Sequence, residues 1–137
     1  MKILFVCKGN VGRSQMAEAF YEKYSKNKEV KSAGYDPGHW VGKNLDMTKY
    51  VKVCMDEEEI DVRHKISKKL DKKMVDWADK IIVFDSKRAD WPDFLRESKK
   101  VEIWEIEDPR HGDLEVHRKY KDMIKEKVIE FIEKNTK

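Results

Sequence analysis

The chain has 137 residues, 39% of them apolar, with 30 Lys and Arg against 27 Asp and Glu. That length suits one domain with a real core and is short for two. The net charge of +3 lacks the strong basic excess of a dedicated nucleic-acid binder, and the longest apolar runs, at 3–6 and 81–84, are far from the ~20 residues of a membrane helix. The first apolar run ends in a polar glycine loop, unlike a signal peptide, and the two Cys cannot build a disulfide scaffold. These features predict a soluble, cytoplasmic, monomeric protein, one domain over 1–137, with no nucleic-acid or membrane partner.

Short apolar runs alternate with amphipathic stretches along the chain. Residues 2–6 suit a strand buried on both faces, bounded by Gly9 and Gly12. Residues 14–24 read as a helix, with Met16, Ala17, Phe20 and Tyr24 on one side. A short strand is expected at 29–32, ended by Gly34. Met47, Val51, Cys54 and Met55 give 44–55 helical spacing. Residues 68–78 are expected to be a helix with Met74, Trp77 and Ala78 inward. Further buried strands are expected at 81–84 and 101–104. The clearest helix is 115–133, where Val116, Tyr120, Met123, Ile124, Val128, Phe131 and Ile132 form one stripe. Such alternation predicts an α/β fold, a parallel sheet covered by helices with right-handed crossovers. Ligands in such sheets bind beyond the carboxyl ends of the strands. That directs attention to the loop after the first strand and to the segment after Trp104.

The first loop reads Cys7-Lys8-Gly9-Asn10-Val11-Gly12-Arg13-Ser14. Inward-pointing amides of a glycine-containing turn can form an anion nest, and the following helix N-terminus adds donors and a positive dipole end. Gly9 and Gly12 are expected to supply positive φ. Arg13 can bind two oxygens of a phosphate-like oxyanion with its planar fork. The donors that hold an oxyanion also favour a thiolate at Cys7, and a thiolate beneath a bound phosphate is an in-line nucleophile. Ser14 can donate to that sulfur. The Cys-x5-Arg spacing alone is unspecific. A strand before it, two Gly within it, Ser after it and an amphipathic helix beyond make it a phosphate loop. The alternative is a tight strand–helix turn around a structural Cys. No Gly-Lys-[Ser/Thr] and no Gly-x-Gly-x-x-Gly is present, which excludes the Walker and dinucleotide loops.

Cys-x-Gly-Asn-x-x-Arg-Ser near the N-terminus resembles the low-molecular-weight protein tyrosine phosphatase family. The resemblance continues through Ser32-Ala33-Gly34, Asp61-Val62, Ser67-Lys68-Lys69-Leu70 and Asp108-Pro109. It implies a four-stranded parallel sheet flanked by helices and a cysteinyl-phosphate mechanism without metal or cofactor. Cys7 would be the nucleophile and Arg13 the phosphate clamp, with Lys8, Gly9, Asn10, Val11, Gly12, Arg13 and Ser14 binding phosphate. Asn10, supported by Ser32, would hold the loop in shape, and Ser14 would stabilise the thiolate. The implied partner is a phosphorylated protein or small phosphomonoester.

Displacing an aryl or alkyl oxide calls for a proton donor near the loop. Asp108 follows the 101–104 strand and precedes Pro109, which restricts it to an extended conformation. The family's acid is an Asp followed by Pro in this place; Glu107 is the local rival. Some features depart from the family. Gly12 stands where many relatives carry a second, protective Cys. Arg110 and His111 stand where tyrosine-specific members have aromatic residues after the Asp-Pro. Trp40 matches a region that lines the family's cleft, so Trp40, Arg110 and His111 are the expected substrate-lining residues. His64 is displaced by one position from a structural His of the family and receives no role. Asp85 reads as loop support.

Thioredoxin-coupled arsenate reductases share this fold and loop, and Ser14-Gln15-Met16-Ala17-Glu18 resembles that branch. Those enzymes relay two electrons through two further Cys after the third strand. Residues 85–92 hold none, and Trp91 stands roughly where one would be. The protein-arginine phosphatase branch carries Thr after the loop Asn; Val11 lacks that hydroxyl, which points to phosphotyrosine. A phosphate-binding module without turnover is the reading from a different class, against which the joint presence of Cys7, Arg13, Ser14 and Asp108 argues. Cys54 reads as buried and Trp77 as core. The charge runs at 57–59 and 68–73 read as solvated faces. His39, His111 and His117 lack metal-ligand spacing.

Overall fold

The structure, a computed structural model, describes residues 1–135. Strand β1 (Ile3–Cys7) is apolar and buried at every position, as a strand covered on both faces must be. It lies between β2 (Val30–Gly34) and β3 (Lys80–Val83), and β4 (Val101–Ile103) pairs with β3. The sheet is four-stranded and parallel, in the order β2-β1-β3-β4. Side chains alternate across a strand. Ile3, Phe5 and Cys7 enter the core beneath α1 (Arg13–Tyr24) and α5 (Leu114–Lys134). Leu4 and Val6 enter the opposite core with Val75 and Leu95, beneath α3 (Lys72–Trp77) and α4 (Asp93–Arg96). Continuing that alternation puts the Cys7 sulfur on the α1 side, where the loop turns into the helix. Val6 is in register with Ala33 and Val83, and Cys7 with Gly34, so the loops at these strand ends share one edge of the sheet.

Two expected helices are shorter than their periodicity. Residues 44–55 divide into a 3-10 turn, Leu45–Met47, and α2 (Val51–Asp56). The backbone around Asn44 instead pairs with the 65–67 segment: Leu45 N donates to Lys65 O at 2.9 Å and Ser67 N to Lys43 O at 3.0 Å. Met47 is consequently 60% exposed. In 68–78 only Lys72–Trp77 is helical. Gly34 N donates to Lys68 O and Leu70 N to Gly34 O, both at 2.8 Å, which keeps the stretch before the helix extended along β2. Asp71 then caps α3 through Met74 N at 2.9 Å. Val75 fills the core from this helix, while Trp77 is half-buried beneath the Lys31 ammonium, 4.5 Å from its ring centroid.

The long helix forms as expected, capped by Asp113, whose carboxylate accepts from Val116 N at 3.0 Å. Its buried positions are His117, Lys121, Ile124, Val128 and Phe131; Met123 faces out. The run at 57–59 is only partly a solvated face: Glu57 and Glu59 are exposed, whereas Glu58 is half-buried. Glu57 Oε2 lies 2.6 Å from Arg118, and Glu58 meets Lys121 at 2.7 Å and Lys125 at 2.6 Å, riveting the end of α2 to α5. Those ammonium groups hold the Glu58 carboxyl below its ordinary titration range. The Lys-rich run is mixed: Lys72 pairs with Asp76 at the surface, whereas Lys68 is half-buried and desolvation lowers its pKa. No helix among the described residues is long and apolar enough to cross a membrane.

Candidate active site

The loop from β1 to α1 is built around Asn10, which is fully buried and has φ 54°. The left-handed conformation therefore falls on Asn10, not on Gly9 or Gly12; Asn tolerates it better than most residues. Its Nδ2 donates to Ser14 Oγ at 2.8 Å and Ser32 Oγ at 3.0 Å. Its Oδ1 accepts from Lys68 N at 2.9 Å and Gln15 Nε2 at 3.1 Å. One side chain thus ties the loop to α1, β2 and the 65–70 segment. Gln15, which also donates to Ile66 O at 3.0 Å, is a support that its sequence position did not reveal.

The loop's carbonyls turn toward the protein. Cys7 O accepts from Tyr35 N, Lys8 O from Asp36 N, Gly9 O from the Ser67 hydroxyl and Gly12 O from Met16 N, all within 2.9–3.0 Å. The amides of Gly9, Val11, Gly12 and Arg13 have no protein acceptor among the described residues. These four residues and the buried Cys7 line a cleft of about 380 Å³. A donor-rich face over a thiol suits a tetrahedral oxyanion. Gly34 permits this arrangement: a Cβ there would stand 2.6 Å from Lys8 O.

Cys7 Sγ accepts the Asn10 amide at 3.3 Å and lies 2.9 Å from Ser14 Oγ. Because Ser14 Oγ already accepts from Asn10, its own proton is free to point at the sulfur. Arg13 has a side-chain exposure of 7% and is fixed along one edge: Nη1 donates to Phe84 O at 3.1 Å and Ile106 O at 2.9 Å. The ends of β3 and β4 thereby aim a guanidinium into the cleft. Its Nη2 lies 3.9 Å from Asp108 Oδ2.

Asp108 reaches the same cleft with its side chain 41% exposed, and its Oδ1 accepts from Arg110 N at 3.1 Å. Glu107 does not line the cleft; its carboxylate accepts from the Tyr120 hydroxyl at 2.8 Å. Trp40 and Arg110 line the cleft. His111 does not: it lies on a neighbouring groove with Lys87 and Glu105, because the turn from Pro109 to Gly112 carries it past the cleft. The wall expected from His111 comes instead from α2 and α5, through Val51, His117, Tyr120 and Ile124. Tyr120 and Ile124 belong to the apolar stripe read as core. His117 was visible only as a polar interruption beside that stripe; its Nδ1 lies 2.9 Å from Asp113 O and its ring 4.9 Å from that of Tyr50.

Asp85 supports the adjacent loop, as its position at the end of β3 suggests. It accepts from Tyr35 Oη at 2.7 Å, Lys87 N at 3.0 Å and Trp91 Nε1 at 3.2 Å. Burial first, then Asp85, pushes the Tyr35 phenol well above its ordinary range. Trp91 is buried. Cys54 is buried too, and burial followed by the nearby Glu57 raises its thiol pKa. His64 is exposed, while Lys65 beside it pairs with Glu18 at 3.1 Å and Glu22 at 2.6 Å. No group of three or more His, Cys, Asp or Glu among the described residues is arranged to hold a metal ion.

The family described as "Low molecular weight phosphotyrosine protein phosphatase" matches residues 2–137. A protein-arginine-phosphatase of Geobacillus stearothermophilus is 30% identical over 145 residues, covering 97% of this chain and 95% of that one. Arsenate reductase 1 of Bacillus cereus is 32% identical over 133 residues, covering 96% and 93%. Among solved structures, a mutant of YwlE from Bacillus subtilis superposes with a TM-score of 0.86 at 26% identity, covering 100% of this chain and 99% of that one.

Proposed function

We propose that this chain, which belongs to the low-molecular-weight phosphotyrosine protein phosphatase family, is a cytoplasmic, monomeric phosphatase of phosphotyrosine-like monoesters, using neither metal nor cofactor. The observation that carries this reading is the convergence of the Cys7 sulfur, the donor face of its loop, the anchored Arg13 and Asp108 on one cleft. In the first step Cys7 Sγ bonds to phosphorus as the ester oxygen leaves and takes a proton from Asp108. In the second, Asp108 takes a proton from water as that water attacks phosphorus. The thiolate leaves, and Ser14 and the Asn10 amide receive it. Arg13 and the loop amides hold the equatorial oxygens throughout.

The leaving-group side favours an aromatic ring. Val51, Trp40, Tyr120 and Ile124 give it apolar and flat surfaces, and Val11 offers no hydroxyl. The similarity to a protein-arginine-phosphatase makes phosphoarginine the competing substrate. Arsenate reduction fits less well. It would need two electrons relayed through thiols, and beyond Cys7 the chain has only Cys54, buried and with its pKa raised.

The test is phosphate release from matched phosphotyrosine, phosphoarginine and phosphoserine peptides, with arsenate plus thioredoxin as a separate assay. Phosphotyrosine is expected to turn over fastest, with inhibition by vanadate and phosphate and none by EDTA. Faster release from phosphoarginine moves the substrate assignment. Arsenate-dependent oxidation of thioredoxin replaces it, and no turnover at all leaves a phosphate-binding module.

A further inference from the structure

A general acid must meet the leaving oxygen at hydrogen-bond distance while its carboxyl stays free to give up a proton. The segment carrying it therefore has to be held by other groups. Before Asp108 the main chain is pinned at Ile106, whose N–H donates to Phe84 O at 3.3 Å and whose carbonyl accepts from Arg13 Nη1 at 2.9 Å. After it, Gly112 N donates to Pro109 O at 2.7 Å. Gly112 lies so close to α5 that a Cβ would stand 2.5 Å from Val116 Cγ1. Between these two points, the side-chain hydrogen bond from the segment to a helix is that of Tyr120 Oη to Glu107 Oε2, at 2.8 Å.

We propose that Tyr120 and Glu107 form a tether that positions Asp108, an inference resting on the reading of Asp108 as the acid. Successive side chains of an extended segment point to opposite sides, and Pro109 favours an extended Asp108. Holding Glu107 against Tyr120 therefore restrains the main chain one residue before Asp108, at the α5 wall of the cleft. Asp108 stands at the rim shared by the cleft and the adjoining groove, whereas Glu107 borders only the groove. Tyr120 lies about two turns into α5, on a helix that Glu57 and Glu58 fasten to α2. The tether thus refers the acid to a rigid element. The same bond raises the Tyr120 pKa, keeping its proton on the shared hydrogen bond.

The test compares kcat/KM for phenyl phosphate, whose oxide needs a proton to leave, with that for p-nitrophenyl phosphate, whose oxide leaves readily without one. Tyr120→Phe keeps the ring and removes the hydroxyl; Glu107→Ala removes the acceptor. Each is expected to lower the phenyl to p-nitrophenyl ratio by about 3–10-fold, part of the general-acid effect. The double variant should fall no further, because both changes break one bond. Glu107→Gln, whose Oε1 still accepts, should retain most of the ratio. A purely structural role would change both substrates alike. An unchanged ratio in Tyr120→Phe and Glu107→Ala, or additive losses, would overturn the tether. Asp108→Asn in the same assay separates the two claims. If it collapses the ratio while the tether variants do not, only the tether falls; if it leaves the ratio intact, the acid assignment falls and the tether with it.

Discussion

The two loops that meet at the cleft are built in opposite ways. In the Cys7–Ser14 loop the carbonyls of Cys7, Lys8, Gly9 and Gly12 are all engaged, and Asn10 and Ser14 are fully buried. Around Asp108 the side chain is 41% exposed, and the local bonds are a turn, an Asx contact and the Tyr120 tie. The difference follows from the chemistry each loop serves. An oxyanion nest works only if its donors are already aimed, since reorganising them during reaction would cost what they gain. A general acid has to admit a bulky leaving group and later a water molecule, so it sits at a solvent-facing rim. The contrast predicts that damage to the first loop costs stability and turnover together, while damage to the second costs turnover alone.

Asp108→Asn is the most severe test of the second half of that statement. Turnover of phenolic esters should fall by about 10²–10⁴-fold, with the thermal midpoint unmoved. A large fall in midpoint would show that the rim is structural after all. Asn10→Ala tests the first half. It removes four side-chain hydrogen bonds and leaves Lys68 N unpaired, so it should cost about 3 kcal/mol and reduce kcat roughly tenfold or more. Denaturant unfolding and steady-state kinetics on one preparation decide it. Gly34→Ala places a methyl 2.6 Å from Lys8 O and should cost about 1–3 kcal/mol through displacement of the loop. Turnover should drop with it, although position 34 touches no substrate.

The smallest effect sharpens the contrast from outside the site. Glu58 is a carboxylate with side-chain exposure of 14%, and its lowered pKa marks stability gained from Lys121 and Lys125. The unfolded chain takes up the proton more readily than the folded one. The contribution is therefore present above the ordinary carboxylate pKa and is lost as pH falls through the lowered folded value. Glu58→Gln should destabilise by about 1 kcal/mol near neutral pH, with the gap from wild type closing below about pH 4. Urea unfolding as a function of pH reads this directly; a gap that widens in acid contradicts it.

What the sequence made legible was what local chemistry decides. The apolar run of β1, the period of α5 and the Cys-x5-Arg loop each carry their own signal. Periodicity misjudged 44–55 and 68–78 because their backbones are claimed by distant partners, Lys65 and Gly34, and no local pattern records such pairing. The glycines of the loop suggested where φ turns positive, yet Asn10 turns instead, since its side chain has four partners to reward that conformation. His111 was expected as a cleft wall because it stands where similar phosphatases carry an aromatic residue after the Asp-Pro. The wall comes from His117 and Tyr120, one and two turns into the helix, where the turn after Pro109 delivers them. Glu58 resembled its exposed neighbours because its partner Lys121 on α5 lies about 60 residues away along the chain.

The central claim is that Cys7 takes the phosphoryl group. In Asp108→Asn the first step still proceeds with p-nitrophenyl phosphate, while the second lacks its base, so an intermediate should accumulate. Acid quenching followed by peptide mass analysis tests this. The account predicts one phosphoryl group on the peptide holding Cys7, absent from Cys7→Ala in the same background. Phosphate on another residue, or undiminished turnover in Cys7→Ala with no such adduct in either protein, would contradict it.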